Sequence, residues 1–191
     1  ASPVPEYGAN LPAGFQRRDF VSYQAFLKMS KNSEKHYEYI DGEVYLLASP
    51  GVTHQRVLGD LFLLFRTFFT SGCEVFVAPF DIQLYRQPIK DERKLTDNDI
   101  NVVQPDLVVL CDQHESTDEQ DRYKGTPALV VEILSPATRS KDMISKLSLY
   151  SESGIGEYWI VDPKARTIMV YSFAECAMQS FVLYSEGQIA E

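Results

Sequence analysis

An apolar run interrupted by a single carboxylate covers residues 128–136, which read A-L-V-V-E-I-L-S-P. Almost every residue of this run suits a buried strand, and Glu132 is the exception. Because side chains alternate along a strand, Glu132 shares a face with Val130 and Leu134. Removing water from an ionised glutamate is costly unless the carboxylate gains a partner. The pattern therefore predicts either an ion pair with a lysine or arginine, or a cation site completed by other carboxylates.

The hydrophobic periodicity of the whole chain predicts the element order αββαβββαβββ, which indicates one mixed α/β domain whose sheet is flanked by two main helices. Asp41-Gly42 lies between two strand-like runs and predicts a β-hairpin over residues 36–48. The predicted helices cover about residues 19–31, 53–70 and 141–153, and the predicted strands 73–85, 105–110, 128–134, 156–162, 167–172 and 179–184. Residues 86–102 are polar and charged, and a loop is predicted there.

The central predicted helix, residues 53–70, is apolar over more than half of its circumference. Four of its apolar residues are phenylalanines: Phe62, Phe65, Phe68 and Phe69. So broad an apolar surface indicates either a helix enclosed by the sheet or a helix with one face in a dimer interface.

With 191 residues, the chain is long enough for one substantial core, and we expect an N-terminal arm over residues 1–18 and a single domain over 19–191. We expect no signal peptide in the first residues and no membrane segment. Cys73, Cys111 and Cys176 are widely separated, which favours free thiols in a reducing cytoplasm over a disulfide framework. The net charge of −9 disfavours a polyanionic partner without excluding one, because part of the acidic excess clusters in residues 112–121.

Three acids occupy the ends or the middle of predicted strands: Glu43, Asp106 and Glu132. The strands of Asp106 and Glu132 follow each other directly, so we expect them to be neighbours in the sheet. Two adjacent carboxylates repel each other unless a cation lies between them. Mg²⁺ prefers such hard oxygen ligands, and the backbone carbonyl of Ile133 could add another. The alternative for Asp106 is a turn residue that follows Pro105.

The helix after the Glu132 strand places Asp142 and Lys146 four residues apart, hence on one face. Lys146 could lower the pKa of a metal-bound water or stabilise a phosphate transition state; the alternative is an exposed ion pair. Arg139 could hold a phosphate or belong to the solvated surface. His54 could carry a proton or contact phosphate, although a lone histidine is more often structural.

The sequence contains no glycine-rich phosphate loop, no G-x-S-x-G and no cysteine–histidine set with zinc spacing. Nucleotide hydrolases of the phosphate-loop type, serine hydrolases and structural zinc proteins are therefore disfavoured.

Several segments together resemble the Uma2 family of restriction-endonuclease-like proteins. They read P-D-L-V-V-L, L-V-V-E-I-L-S-P-A-T-R-S-K-D-M-I-S-K-L-S-L-Y, G-E-Y-W-I-V-D-P, and, upstream, Y-I-D-G-E-V and S-P-G-V-T-H, so the resemblance covers about residues 20–185. It implies a PD-(D/E)XK nuclease-like core, in which a mixed sheet flanked by helices holds a divalent metal, Mg²⁺ or Mn²⁺, through acids on adjacent strands.

The resemblance also assigns roles to single residues. Asp106 matches the motif aspartate, Glu132 the motif acid, and Glu43 the upstream glutamate. Leu134 stands where the motif lysine is expected, and Lys146 on the following helix matches the lysine that this family has moved. Asp142, Arg139 and His54 fall on further motif positions, where substrate contacts are expected.

These expectations combine into a metal-dependent, cytoplasmic and homodimeric endonuclease that acts on DNA. Asp106, Glu132 and Ile133 would hold the metal, and Glu43 and Lys146 would assist catalysis. A catalytically degenerate binding or regulatory module is the alternative, favoured by the net charge of −9 and by Leu134. A structural homodimer whose acids are merely paired is a third possibility.

Overall fold

The computed structural model describes residues 20–31, 33–86, 96, 99–111, 122–136 and 139–189. The predicted arm over residues 1–18, most of the predicted loop over 86–102 and the acidic cluster over 112–121 lie outside these residues. The predicted boundary between arm and domain therefore stays a prediction.

The described residues form three α-helices, one π-helical segment and eleven strands. The helices are α1 (Tyr23–Lys31), α2 (Val52–Phe68) and α3 (Leu147–Glu152), with the π segment (Lys141–Lys146) leading directly into α3. The strands are β1 (Tyr37–Ile40), β2 (Glu43–Leu46), β3 (Glu74–Val77), β4 (Ile82–Tyr85), β5 (Ile100–Val103), β6 (Leu107–Leu110), β7 (Tyr123–Lys124), β8 (Leu129–Ile133), β9 (Glu157–Asp162), β10 (Thr167–Ala174) and β11 (Ala177–Ser185).

The strands form two mixed sheets, so the prediction of a mixed α/β fold is confirmed. The sequence predicted one sheet, whereas the structure has two. One sheet has the order β2-β1-β5-β4-β7, and the other has the order β11-β10-β9-β8-β6-β3. The strand predicted over 73–85 accounts for the difference. It is divided at Ala78-Pro79 into β3 and β4, which belong to different sheets. Proline has no N–H to donate to a ladder, which suits it to this break.

The hairpin and the first helix form as the local sequence predicts. Asp41 and Gly42 both have positive φ angles, 50° and 82°, as a two-residue turn between twisted strands requires. The Ser22 hydroxyl accepts a hydrogen bond from the backbone N–H of Ala25 at 3.3 Å, and this capping contact starts α1.

The central strands β6 and β8 of the six-stranded sheet are buried on both faces, whereas β11 at its edge is largely exposed. On one face, α2 covers alternate strand residues such as Leu107 and Val131, and Phe65 is the most deeply buried residue of that helix. On the other face, Val108 and Val130 pack beneath α3. The helix predicted to be central therefore covers one face only, and much of its remaining apolar surface is exposed.

Cys73 and Cys111 form a disulfide, so the prediction of free thiols is wrong for this pair. Cys73 precedes β3 and Cys111 follows β6, and these strands pair antiparallel with Glu74 opposite Leu110. The next register position places the two cysteines directly opposite each other, with Cα atoms 4.0 Å apart. Cys176 is free. The argument for a reducing compartment that rested on free thiols at these two positions no longer holds.

Within the described residues, none of the helices combines the length and the apolar character that crossing a lipid bilayer requires.

Candidate active site

Asp106 and Glu132 lie side by side on neighbouring strands, as the sequence predicts. β6 and β8 pair antiparallel with Leu107 opposite Val131, so the residues one step further, Asp106 and Glu132, are adjacent and on the same face. Asp106 is fixed by two contacts of Oδ2. This oxygen accepts a hydrogen bond from the backbone N–H of Ile133 at 2.7 Å and lies 3.1 Å from Nε2 of His54.

Glu132 is buried among polar partners. Its side chain is 5% exposed, and Oε1 lies 2.6 Å from the ammonium of Lys146. The same oxygen accepts a hydrogen bond from the Tyr150 hydroxyl at 2.9 Å. Burial raises the pKa of Glu132 well above its ordinary value, Lys146 opposes this rise, and the nearby carboxylates of Asp142, Asp106 and Glu38 add to it.

Glu38 on β1 is a site residue that the sequence reasoning missed. It is completely buried; its Oε1 lies 2.7 Å from Nζ of Lys146, and its Oε2 lies 2.5 Å from Nζ of Lys141. The backbone N–H of Gln104 donates a further hydrogen bond to Oε1 at 3.0 Å. Burial by itself would raise the pKa of Glu38, but the charges of the two lysines outweigh it and lower the pKa.

Glu43, the upstream acid that the resemblance indicated, lies elsewhere on the same hairpin. It pairs with Ile40, whereas Glu38 pairs with Tyr45, which places Glu43 about 7 Å further along the ladder, next to the turn. Its carboxylate accepts a hydrogen bond from the Tyr45 hydroxyl at 2.7 Å, and it is not among the described residues that line the site pocket.

Lys146 is the buried cation at the centre of the cluster. It is 2% exposed and contacts Glu38 and Glu132, and Oδ1 of Asp142 lies 3.7 Å away. Burial alone would lower the pKa of Lys146, but Glu132, Glu38 and Asp142 together raise it well above its ordinary value. The side chain is therefore a permanently charged ammonium near neutral pH. The exposed ion pair considered for Asp142 and Lys146 is excluded by their burial.

His54 and Arg139, the two remaining predicted contacts, differ in position. His54 near the start of α2 faces the cluster, and its hydrogen bond to Asp106 raises the pKa of the imidazole, although burial opposes this. The nearby Ile133 backbone contributes to the raised pKa in the same direction. Arg139 instead is half-exposed and pairs with Asp162 at 2.7 Å, and it is not among the described residues that line the pocket.

These groups open into a pocket of about 530 Å³. Six of the ionisable side chains that line it are those of His54, Asp106, Glu132, Lys141, Asp142 and Lys146. Apolar residues also line the pocket, among them Leu47, Ala48, Pro50, Leu58 and Pro79. The pocket has the size at which proteins bind small molecules or one unit of a polymer.

The oxygen donors of this pocket fit a hard divalent cation. The contacts of Asp106 use Oδ2 and those of Glu132 use Oε1, so among the described residues none hydrogen-bonds to the other carboxylate oxygen of either residue. Ile133 also lines this pocket. The part of the chain that the structure describes contains no group of three or more His, Cys, Asp or Glu side chains arranged to hold a metal. Mg²⁺ needs only one or two carboxylates from the protein, with water and substrate as its other ligands.

The fold is shared with a protein of known structure, and the sequence with a curated relative. The crystal structure of a "putative nuclease belonging to DUF820" from Anabaena variabilis superimposes with a TM-score of 0.65 at 18% identity, covering 87% of this chain and 85% of that one. The predicted restriction-endonuclease-like fold is thereby confirmed. An uncharacterized protein of Synechocystis sp. is 27% identical over 153 residues, which are 79% of this chain and 73% of the relative.

The model of one protein family matches nearly the whole of the described structure. It covers residues 23–188, from the start of α1 to beyond the end of β11, and so includes Glu38, Asp106, Glu132 and Lys146. The family is Uma2, described as "Putative restriction endonuclease", and the chain belongs to it.

Proposed function

We propose that the protein is a metal-dependent endonuclease that hydrolyses phosphodiester bonds in DNA. The observation that carries the proposal is the buried ammonium of Lys146, which lies 2.6 Å from Glu132 and 2.7 Å from Glu38 in a pocket that also contains Asp106. Ionic groups are rarely buried together without a functional or structural need. Membership of the Uma2 family supports phosphodiester chemistry at this pocket.

Asp106, Glu132 and the carbonyl of Ile133 would hold the cation, Mg²⁺ or Mn²⁺. Such an ion supplies Lewis acidity and a more acidic water when it is bound. Charge balance supports a cation here, because four carboxylates (Glu38, Asp106, Glu132 and Asp142) surround two ammonium groups, those of Lys141 and Lys146.

The protein's own groups would position and stabilise the reacting phosphate. The ammonium of Lys146 would stabilise the negative charge that develops on the phosphate oxygens. Glu38 gives this ammonium a second carboxylate partner, and His54 orients Asp106. Leu134 occupies the motif position of a lysine, so Lys146 reaches the same pocket from the next helix instead of from the strand.

Nicking of supercoiled plasmid with Mn²⁺, and without it, tests the proposal. Asp106→Asn and Glu132→Gln each keep the shape of the side chain and remove its charge, and each should slow nicking by at least about 100-fold. Asp60→Asn removes an exposed carboxylate from α2 and serves as the matched control. Nicking at the parental rate by either site variant would contradict the proposal.

The second candidate function is a binding or regulatory module that has kept the nuclease fold without catalysis. Leu134 at the motif lysine position and the net charge of −9 favour it. Calorimetry with MnCl₂ separates the two candidates, because a metal-dependent enzyme must bind the ion. The absence of heat at millimolar Mn²⁺, together with absent nicking, would favour the binding module.

We also propose that the protein is a homodimer that associates through α2. Phe62, Leu63, Leu64 and Phe68 on this helix are exposed, with 75% of the Phe68 surface accessible. An apolar surface of this kind is typical of an interface. Phe65 is excluded from this role, because it is 5% exposed and packs against Trp159 in the core. Sedimentation at micromolar concentration should give a dimer, and a monomer would contradict the proposal.

A further inference from the structure

We propose that a cationic groove beside α1 binds the sugar–phosphate backbone of the nucleic acid substrate at nucleotides that flank the reacting bond. The choice of a nucleic acid as ligand rests on the proposed function. The groove has a volume of about 860 Å³, is separate from the pocket described above, and is lined by Gln24, Lys28, Ser30, Lys31, Asp81 and Arg122 among others.

The charge of this groove is opposite to that of the chain. Three cationic side chains and one carboxylate line it, in a protein of net charge −9. Gln24, Lys28 and Lys31 recur at spacings of four and three along α1, so they lie on one face of the helix. Lysines in a last helical turn also interact favourably with the helix dipole, but the dipole does not account for Arg122, which lies outside α1.

Arg122 forms a fixed part of the groove. It is 5% exposed, and its guanidinium lies 5.8 Å from the centroid of the Tyr23 ring. A guanidinium held over an aromatic ring is pre-oriented, and its planar donors match the oxygens of a phosphate. Ser30 and Gln24 add neutral donors to the lining of the groove. Charged and neutral donors of this kind suit an anionic phosphodiester backbone better than a neutral or apolar ligand.

The groove lies next to the site pocket. Pro79 lines the pocket and Asp81 lines the groove, and their Cα atoms are at most about 7 Å apart, because only one residue separates them. Asp81 also accepts a hydrogen bond from the Gln104 side chain at 2.6 Å, and the backbone N–H of Gln104 donates to Glu38. Residues that line the groove are therefore in direct contact with residues that line the pocket, so we expect a few nucleotides to reach from one to the other.

The composition of the pocket explains why a second cationic surface is required. The two lysines in the pocket wall, Lys141 and Lys146, are both paired with Glu38. Their charge is largely compensated before a substrate arrives, and the carboxylates beside them repel phosphates. Within the described residues, the groove supplies positive charge that lies close to the reacting bond but outside this cluster.

The test measures binding of a fluorescein-labelled oligothymidylate by anisotropy, with EDTA present, over a range of salt concentrations. The double variant Lys28→Ala/Lys31→Ala removes two charges from the groove while alanine preserves the helix. Arg66→Ala/Lys164→Ala removes two exposed charges outside the groove and the pocket, so the change in net charge is the same. Circular dichroism and thermal unfolding confirm that each variant is folded.

The groove variant should bind on the order of 20-fold more weakly at about 0.1 M salt, and its salt slope should fall by about 1.4, since each lost phosphate contact on a single strand contributes about 0.7. The control variant should retain the parental slope, and Lys28→Glu/Lys31→Glu should bind more weakly still. Equal losses in groove and control variants would overturn the inference, as would a parent that does not bind the oligonucleotide.

Plasmid nicking separates this inference from the proposed function. A parent that nicks DNA while the groove variant binds and nicks at the parental level would refute the groove and leave the nuclease proposal intact. A parent that binds through the groove but does not nick DNA with any metal tested would support the groove and contradict the nuclease proposal.

Discussion

Tyr150 and Tyr158 are both completely buried, yet their hydroxyls serve different partners. The Tyr150 hydroxyl donates to Oε1 of Glu132 at 2.9 Å, and the Tyr158 hydroxyl donates to the backbone carbonyl of Asp142 at 3.1 Å. Their rings contact edge to face with centroids 4.8 Å apart. Burial raises the pKa of each phenol well above its ordinary value, so both remain protonated donors. Replacing each tyrosine by phenylalanine therefore separates an effect on the geometry of the site from a general effect on stability.

Tyr150→Phe should weaken Mn²⁺ binding and slow nicking about tenfold, because Glu132 loses a donor that fixes one of its oxygens. Tyr158→Phe should leave the affinity for Mn²⁺ unchanged. Both variants should lose about 1 kcal/mol of unfolding free energy, the usual contribution of one hydrogen bond. Calorimetry with MnCl₂ and urea unfolding measure the two effects. Equal changes in Mn²⁺ affinity for both variants would show that Tyr150 has no particular role at the site.

At the scale of the residue, the sequence reveals a buried acid only where the acid interrupts an apolar run. Glu132 is predicted on this basis, whereas Asp106 is predicted from its position at the start of a neighbouring strand. Glu38 carries the same signal more weakly, since it stands between two tyrosines, which tolerate water. Its partner Lys141 is 103 residues away along the chain, and no local pattern predicts that contact. The motif position favoured Glu43 instead. Its place on the hairpin does not determine whether its side chain reaches the pocket.

The π segment over Lys141–Lys146 determines which lysines meet Glu38. In an α-helix, residues five apart lie about 140° apart around the axis, at about 100° per residue. In a π-helix the hydrogen bond runs from residue i to i+5, so Lys141 and Lys146 come close to one face. Both ammonium groups consequently reach the same carboxylate. Apolar periodicity predicted a helix over 141–153, but it does not distinguish a wide turn from an ordinary one.

The turn between β9 and β10 supplies a prediction about pH. Asp162 accepts hydrogen bonds from the backbone N–H groups of Lys164 and Ala165, each at 3.0 Å, and from Arg139 at 2.7 Å. These donors lower the pKa of Asp162. A carboxylate with a lowered pKa stabilises the fold above the ordinary aspartate range, and this contribution disappears as the pH falls through the folded-state pKa.

Asp162→Asn should therefore cost about 1–3 kcal/mol of unfolding free energy near neutral pH, and the difference from the parent should shrink in acid. Urea unfolding at several pH values measures it. Asp60→Asn on the exposed surface of α2 is the matched control and should change stability little at any pH. A difference at Asp162 that is constant over the acidic range would refute the assignment of the effect to the ionised carboxylate.

At the scale of the whole molecule, the disulfide constrains a loop with a sequence separation of 38 residues. That loop contains β3, β4, β5 and β6, so the chain leaves the six-stranded sheet after β3, forms β4 and β5 of the other sheet, and returns in β6, where the bond closes the loop. Replacing the pair by Cys73→Ala/Cys111→Ala should lower the free energy of unfolding by about 2–4 kcal/mol, because the unfolded chain gains freedom. Thermal unfolding with and without dithiothreitol provides the measurement. Cys176→Ser, at the free cysteine, is the control, and a reductant that leaves the parental transition unchanged would contradict the prediction.

The overall topology could be predicted only in part. Alternation and turn residues predicted the hairpin and the strands β6, β8, β9, β10 and β11. They did not reveal that the chain leaves one sheet at Ala78-Pro79 and enters another, since both sides of the break are equally apolar. β5 was missed for a related reason: Ile100–Val103 is a short strand within a polar region, and pairing with β1 and β4 forms it. Pairing of this kind depends on tertiary context.

Lys146 joins the two sheets, because Glu38 belongs to one of them and Glu132 to the other. Any motion that moved the sheets apart would separate the buried ammonium from at least one of its two carboxylates, and leaving a buried charge without its partner costs several kcal/mol. The two sheets should consequently stay packed together until the whole domain unfolds. Heat inactivation of the protein should then coincide with global unfolding and not precede it, since the ion cluster that lines the pocket also holds the two sheets together.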